Sequence, residues 1–171
     1  MAVPVQFTIL GSGSGGNCAY LETDDTRILI DAGFSCRQIR QRLESIGRSP
    51  ETLTGILITH EHQDHVQGLM TLLAKVPIPV YCNRLTKEAI EFQTGKKLNS
   101  HLFQTGATFD VGGVAVESFS IPHDAQDPVN FLLRTPAGDI GFLTDLGHVT
   151  KLILQRVRSA NVLVLEANHD I

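Results

Sequence analysis

The chain has 171 residues, of which 42% are hydrophobic and 19% charged, and its formal net charge is −4. At roughly 150 residues per domain, this length predicts one domain, and the high apolar content excludes a disordered chain. No apolar run approaches the ~20 residues of a membrane span, and the N-terminal residues do not resemble a signal peptide. The three cysteines, Cys18, Cys36 and Cys82, lack a Cys-x-x-Cys pair, so we expect a reduced, cytoplasmic protein.

The first half of the chain mixes short strands with amphipathic helices. Apolar spacing, capping residues and turn residues identify these elements. In chain order they are a strand over Val5–Leu10, a Gly/Ser loop over Gly11–Asn17, strands over Cys18–Thr23 and Arg27–Ile30, a helix from the cap Ser35 to about Ile46, a strand over Gly55–Thr59, a helix over Val66–Lys75, a strand over Pro79–Cys82, and a helix from the cap Asn83 through Thr94.

The second half begins with two predicted hairpins. Gly112-Gly113 suits a tight turn between strands Thr108–Val111 and Val114–Ile121. The second hairpin joins Val129–Thr135 to Ile140–Thr144, and a helix over Lys151–Arg158 and a strand over Val162–Glu166 follow. Because strands and helices do not alternate regularly, the pattern favours an α/β chain of the α+β type, or a layered sandwich, over a doubly wound sheet.

The glycine-rich loop satisfies the G-x-G-x-x-G pattern of dinucleotide-binding proteins. It runs Gly11-Ser12-Gly13-Ser14-Gly15-Gly16, and Asp31 lies 20 residues after Gly11. That fingerprint requires a helix N-terminus directly after the loop to receive the pyrophosphate, and strand-like residues follow here. We therefore expect a tight loop between strands or, as a second possibility, a loop whose backbone amides bind a substrate anion.

The strongest chemical signal is the motif His60-x-His62-x-Asp64-His65, directly after an apolar strand. In an extended segment, His60 and His62 lie on one side and can chelate one ion. Asp64 and His65 lie at the turn into the next helix and can face a second ion. Imidazole with carboxylate suits Zn²⁺, Mn²⁺ or iron. Two further ligand-type segments, Pro122-His123-Asp124 and Thr144-Asp145, each follow a strand end.

At these residues the sequence resembles the metallo-β-lactamase-fold hydrolases, and more closely their YycJ/WalJ-like exonuclease branch. The segments that carry the resemblance, from about Phe7 to Ile171, are Leu10–Cys18, Asp31-Ala32-Gly33, Thr59–His65, Ile121–Ala125, Thr144–His148 and Leu165–Asp170. The resemblance implies an αββα four-layer sandwich. It also implies a cytoplasmic, metal-dependent phosphodiesterase, an exonuclease acting 5′ to 3′ on DNA or RNA, with DNA and a role in DNA repair favoured.

The resemblance also assigns roles to individual residues. His60, His62 and His123 would hold one divalent ion, Asp64 and His65 a second, and Asp145 would bridge the two, with a hydroxide between the ions as nucleophile. Asp64 is thereby also a candidate catalytic residue. The metals implied are zinc or manganese, with iron possible.

One departure from the family pattern concerns the second ion. The family has a further His, in a Gly-His motif of its C-terminal half, and nothing after Asp145 fits that motif in the expected place. We therefore expect residues 1–171 to form the N-terminal two-thirds of a single domain whose C-terminal half is incomplete. The second site would lack one His ligand and bind its ion poorly.

Other residues near these motifs have weaker assignments. Asp31 is expected to orient a metal-ligating His by a contact with that side chain, without binding the metal itself. Glu166 and His169 are candidates for protonating the leaving oxygen. The candidates for contact with substrate phosphate are Ser12, Asn17 and His148. Glu61 and Gln63 are expected to point away from the alternating histidines and meet solvent.

The charge distribution is compatible with a nucleic-acid partner. Two divalent ions would bring the formal charge of −4 to about zero. Arg37 and Arg40 share one face of a predicted helix, with Arg42 and Arg48 nearby, and Lys96-Lys97 follow another helix. Such groups suit contact with a phosphate backbone, although a solvated helix has the same pattern. No membrane partner is expected.

Two other functions remain open at this point. The same metal chemistry attacks acyl carbons, so a hydrolase of a thioester, lactone or β-lactam is an alternative. The other is an inactive, truncated chain, or one that binds a partner supplying the rest of the fold. This last reading predicts exposed apolar surface where the remainder would pack.

Overall fold

The computed structural model describes residues 4–166. Its strands form two sheets that pack face to face. The first sheet has the order β1 to β6, with strands β1 Gln6–Gly11, β2 Cys18–Glu22, β3 Arg27–Ile30, β4 Gly55–Leu57, β5 Val80–Cys82 and β6 His101–Leu102. The second sheet has the order β11-β10-β9-β8-β7, with strands β7 Thr108–Val111, β8 Val114–Ser120, β9 Val129–Thr135, β10 Gly138–Leu143 and β11 Val162–Leu165.

In the described part of the chain, five α-helices cover the outer faces of the sheets: α1 Cys36–Glu44, α2 Gln63–Val66, α3 Leu69–Leu73, α4 Arg84–Thr94 and α5 Lys151–Arg156, with a 3₁₀ turn at Pro50–Thr52. None of the helices within residues 4–166 is long and apolar enough to cross a membrane. In the first sheet β1, β2 and β3 pair antiparallel, and β3 to β6 pair parallel. In the second, β7 to β10 pair antiparallel and β11 joins parallel to β10.

Three apolar clusters separate four layers, in the order helix, sheet, sheet, helix. Alternation along a strand sends neighbouring side chains to opposite faces. In β3, Leu29 packs under the helices, whereas Ile28 and Ile30 face the second sheet. In β9, Phe131 faces the first sheet and Leu132 packs toward α5. The layered α+β sandwich predicted from the sequence is confirmed.

The helix predicted over Val66–Lys75 is observed as α3, Leu69–Leu73, and a separate short helix, α2, precedes it over Gln63–Val66. Between them, the Gly68 N–H donates to the Ala32 carbonyl at 2.9 Å, outside any helix, and a Cβ built on Gly68 would lie 2.0 Å from the carbonyl oxygen of Phe34. The short edge strand β6 was not predicted. The two predicted hairpins, β7–β8 and β9–β10, are present. Ser35 caps α1, as predicted, and forms a capping box with Gln38.

Exposed apolar side chains concentrate around β11 and α5. They are Val149, Leu152, Leu154, Val162, Leu163 and Leu165, each more than 40% exposed. Within the described residues, β11 forms an edge of the second sheet and carries no charged side chain. An uncharged edge of this kind accepts a further strand.

Three loops meet at Gly33. The Asn17 backbone N–H donates to the Asp64 carbonyl at 2.7 Å, and the Gly33 N–H donates to the Asn17 carbonyl at 3.0 Å. A Cβ on Gly33 would lie 1.7 Å from the Asp64 carbonyl oxygen. Only glycine fits at this crossing.

We expect Gly33→Ala to lower the free energy of unfolding by about 1–3 kcal/mol, because the added methyl forces these backbones apart. Urea denaturation measures the change. Gly15→Ala is the matched control: its Cβ meets nothing within 4 Å, so a change below about 0.5 kcal/mol is expected. Equal midpoints for the two variants would contradict the prediction.

Candidate metal centre

The predicted ligand motif lies where the chain leaves β4 and enters α2. Ile58 continues the sheet by donating its N–H to the Tyr81 carbonyl at 3.0 Å. His62 is the N-cap of α2, so the chain passes from extended to helical backbone within the motif. The Thr59 carbonyl accepts the Val129 N–H at 3.0 Å. This bond ties the motif to the start of β9 in the second sheet.

Three histidines converge in a first cluster. His60 Nε2 lies 3.2 Å from His123 Nε2, which lies 3.2 Å from His62 Nδ1, and one ring nitrogen from each falls within 4.8 Å of the others. Burial, with the charge of His65, lowers the pKa of His60 to about 2, and burial also lowers the pKa of His123. His60 and His123 are therefore neutral near pH 7, the state that a metal ion requires.

A second cluster joins His60 and His65 to Asp145, again with one ligand atom from each within 4.8 Å of the others. His65 Nε2 lies 3.0 Å from Asp145 Oδ2 and 3.6 Å from Asp64 Oδ2. Asp145 Oδ2 is buried and, among the described residues, has no partner with hydrogen-bond geometry. An oxygen and a nitrogen that converge without a shared hydrogen bond are the donor set that a divalent cation satisfies.

A buried carboxylate sets the orientation of His65. Asp31 is 1% exposed; its Oδ1 accepts the Thr59 N–H at 2.8 Å, and its Oδ2 accepts the Thr59 hydroxyl at 2.8 Å and lies 2.7 Å from His65 Nδ1. When His65 is neutral, as metal binding requires, a proton on Nδ1 leaves the Nε2 lone pair facing Asp145.

The two carboxylates also control the charge of His65. Burial alone would lower the pKa of His65, but Asp31 and Asp145 raise it to about 10. The two carboxylates thus favour a positive charge beside Asp145, from a proton or from a cation in its place. The residues present therefore fit a divalent ion.

The two site carboxylates share an unusual backbone. Asp31 and Asp145 have φ of 62° and 53°, and they are the only non-glycine residues with positive φ in the described part of the chain. This left-handed region is sparsely populated for residues with a Cβ, although aspartate enters it more readily than most. Such conformations concentrate at functional sites because the surrounding structure must hold them.

Asn17, a sequence candidate for phosphate contact, lies against the cluster. Its Nδ2 donates to Asp64 Oδ2 at 3.0 Å and to the Gly13 carbonyl at 3.0 Å, and its Oδ1 accepts the Gly13 N–H at 3.0 Å. The glycine-rich loop leads through Asn17 directly into β2, so the dinucleotide pattern lacks its helix. That loop holds Asp64 in place.

The other candidates are spread around the cluster. The Ser12 hydroxyl donates to Glu166 Oε1 at 2.6 Å, and both residues line a cavity of about 60 Å³ between the two sheets, with Asp31 and Thr144 in its wall. His148 is exposed on the loop between β10 and α5. His169 lies outside the described residues.

Two residues of the motif region differ from expectation or were missed. Gln63 is exposed as expected, but Glu61 is only 5% exposed. The expectation of a solvated Glu61 was wrong because the loop after β8 folds over it, and Glu61 Oε1 accepts the Gln126 N–H at 2.9 Å. Thr59, which bonds Asp31, was also missed; its position directly before the motif was the only signal.

The basic residues make mostly internal contacts. Arg40 donates to Glu51, Arg48 to Glu22, and Arg42 to the Leu10 carbonyl while lying over the Phe34 ring. The helix α1 therefore uses most of its arginines for structure. The three cysteines are buried and free.

The chain is similar to known proteins over most of its length. Residues 26–170 match the family model described as the beta-lactamase superfamily domain. The chain is 39% identical to exodeoxyribonuclease WalJ of Streptococcus pneumoniae, covering 97% of this chain and 63% of the relative, and 34% identical to exodeoxyribonuclease YycJ of Bacillus anthracis, covering 98% and 64%. It thus spans less than two thirds of the length of these relatives.

A solved structure supports the same fold. The metallo-beta-lactamase fold protein YhfI from Bacillus subtilis superposes with a TM-score of 0.82 at 16% identity, covering 98% of this chain and 72% of that protein. The fold implies divalent metal ions, and the two clusters described above provide ligands of the matching kind.

We expect Asp31→Asn to weaken metal binding about 10- to 100-fold. The amide keeps the shape of the side chain but cannot accept from both Thr59 and His65, so His65 loses its fixed orientation. Competition with a chromophoric chelator for Zn²⁺ or Mn²⁺ measures the affinity. Asp25→Asn, in the exposed turn before β3, is the control; equal affinity in both variants would refute a role for Asp31.

Proposed function

Because this chain belongs to the beta-lactamase superfamily, we propose that it is a metal-dependent phosphodiesterase, an exonuclease that releases nucleotides from a nucleic-acid end. The observation that carries the proposal is the pair of ligand clusters sharing His60. The similarity to proteins named exodeoxyribonucleases, at 34–39% identity, supports a phosphodiester over an acyl substrate and DNA over RNA. Cleavage in the 5′ to 3′ direction and a cytoplasmic location are part of the proposal.

The proposed metal sites draw on the two clusters, with Asp64 added to the second because its Oδ2 lies 3.6 Å from His65 Nε2. His60, His62 and His123 would hold the first ion, Asp64 and His65 would hold the second, and Asp145 would be a ligand of both. A divalent ion held here supplies positive charge that activates water at neutral pH and neutralises the phosphate. Zinc and manganese both suit imidazole and carboxylate ligands, and iron is a further possibility.

The chain's own residues orient these ligands and handle the proton. Asp31 holds His65, and Asn17 holds Asp64, so neither ligand has to be ordered when substrate binds. Glu166, fixed by the Ser12 hydroxyl, is positioned to orient a proton donor toward the leaving oxygen. His169 is our candidate for that donor, and His148 for contact with the substrate.

We expect Asp145→Asn to reduce nucleotide release from a labelled duplex in Mn²⁺ by about 10²–10³-fold, since several kcal/mol of charge stabilisation depend on the metal centre. Parallel assays with a 5′ label and a 3′ label give the direction of cleavage. His101→Ala, which removes an exposed histidine on β6, is the control and should retain activity. No release by the unsubstituted protein at high concentration would overturn the proposed function.

We further expect one tightly held ion per chain after dialysis. The first site offers three imidazoles, whereas the second has, within residues 4–166, only Asp64, His65 and the shared Asp145. Elemental analysis of dialysed protein counts the ions. His62→Ala should lose the retained ion and His65→Ala should keep it; two tightly held ions per chain would contradict a weak second site.

A further inference from the structure

A cavity of about 420 Å³ lies beside the metal centre, between α4 and the loop after β8. Its wall includes Glu61, between the ligands His60 and His62, and Gln126, three residues after His123. Leu85, Ala89 and Phe92 of α4 form the opposite, apolar side. The site described above uses none of these side chains, yet the chain places two of them next to its ligands.

Glu61 carries an unsatisfied acceptor in this wall. Its side chain is buried, Oε1 accepts the Gln126 N–H, and Oε2 has no hydrogen-bond partner among the described residues. A buried carboxylate oxygen without a partner is costly. A ligand that donates an N–H to it would remove that cost.

Phe92 supplies an exposed aromatic surface in the same cavity. It is 91% exposed, the most exposed large apolar residue in the described part of the chain. Leu85, Ala89 and Phe92 are spaced four and three residues apart, so they share one face of α4, while Thr86 and Ile90 form its buried face. An exposed ring beside a nucleic-acid site is the usual platform for base stacking.

The negative charge of the cavity wall favours the base of a nucleotide over its phosphate. Glu88 joins Glu61 in the wall, and neither lysine nor arginine lines it in the described residues. Glu88 Oε1 lies 3.4 Å from Arg84 Nη1, whereas Glu61 has no basic partner among the described residues. The Glu61 carboxylate repels a phosphate but accepts a hydrogen bond from the amino group of cytosine, adenine or guanine. Thymine has a carbonyl oxygen in place of an amino group and only its N3–H as a donor, so it fits less well.

We propose that this cavity is a nucleobase subsite. Phe92 stacks on the base, and Glu61 Oε2 accepts a hydrogen bond from its amino group. The proposal rests on the proposed function, because the base belongs to the nucleic acid whose backbone reaches the metal centre. It adds a preference for amino-bearing bases over thymine.

The test uses uncharged nucleosides, whose binding needs neither a metal nor a phosphate. Titration of ¹⁵N-labelled protein with deoxycytidine should shift the amide signals of Glu61, Phe92 and Gln126 in a saturable manner, about tenfold more tightly than titration with thymidine. Phe92→Ala should weaken deoxycytidine binding about tenfold. Glu61→Gln should abolish the preference over thymidine, because an amide both donates and accepts. Leu154→Ala, which shortens an exposed residue of α5, is the control.

Absence of saturable shifts at these amides, or equal binding by Phe92→Ala, overturns the subsite. A self-association that Phe92→Ala abolishes also overturns it, since the ring would then cover an interface between copies. The Mn²⁺ cleavage assay separates the two proposals. If the protein cleaves the labelled duplex but does not bind nucleosides, only the subsite is overturned. If it binds nucleosides but does not cleave the duplex, the proposed exonuclease function is overturned.

Discussion

The site depends on one buried ionic interaction, the carboxylate of Asp31 against Thr59 and His65. A carboxylate that is 1% exposed is stable only when it is hydrogen-bonded and paired. Three contacts of 2.7–2.8 Å provide this. Because two of them involve Thr59 and one involves His65, the carboxylate fixes both ends of the ligand motif at once. The left-handed backbone of Asp31 brings it into this position.

Around that anchor, backbone hydrogen bonds hold three loops together. The Ala32 N–H donates to the His65 carbonyl at 2.7 Å, and Asn17 reaches both the backbone and the side chain of Asp64. Gly33 permits this close approach because it lacks a side chain. The glycine-rich loop resembles a phosphate loop in sequence, but in the structure it supports a carboxylate.

Much of the fold and the ligand groups could be predicted from the sequence. The irregular order of strands and helices indicated an α+β fold or a layered sandwich, and the resemblance to the metallo-β-lactamase-fold hydrolases implied its four layers. The spacing of His60 and His62 placed their rings on one side. The separation of α2 and α3 at Gly68 and the burial of Glu61 depend instead on segments far along the chain, Phe34 and Gln126. No local pattern carries that information. The partner of Asn17 was missed for the same reason, since it lies 47 residues away.

The proposed metal ligands come from both sheets, and this has a thermodynamic consequence. His60, His62 and His65 follow β4 of the first sheet, whereas His123 and Asp145 follow β8 and β10 of the second. An ion that binds only the assembled set stabilises the folded state through linkage, by about 2.7 kcal/mol when its free concentration is 100 times the dissociation constant. The free energy that holds the two sheets together therefore depends on the concentration of free metal ion around the protein. By the same linkage, a chelator that removes such an ion would lower the stability of the folded protein.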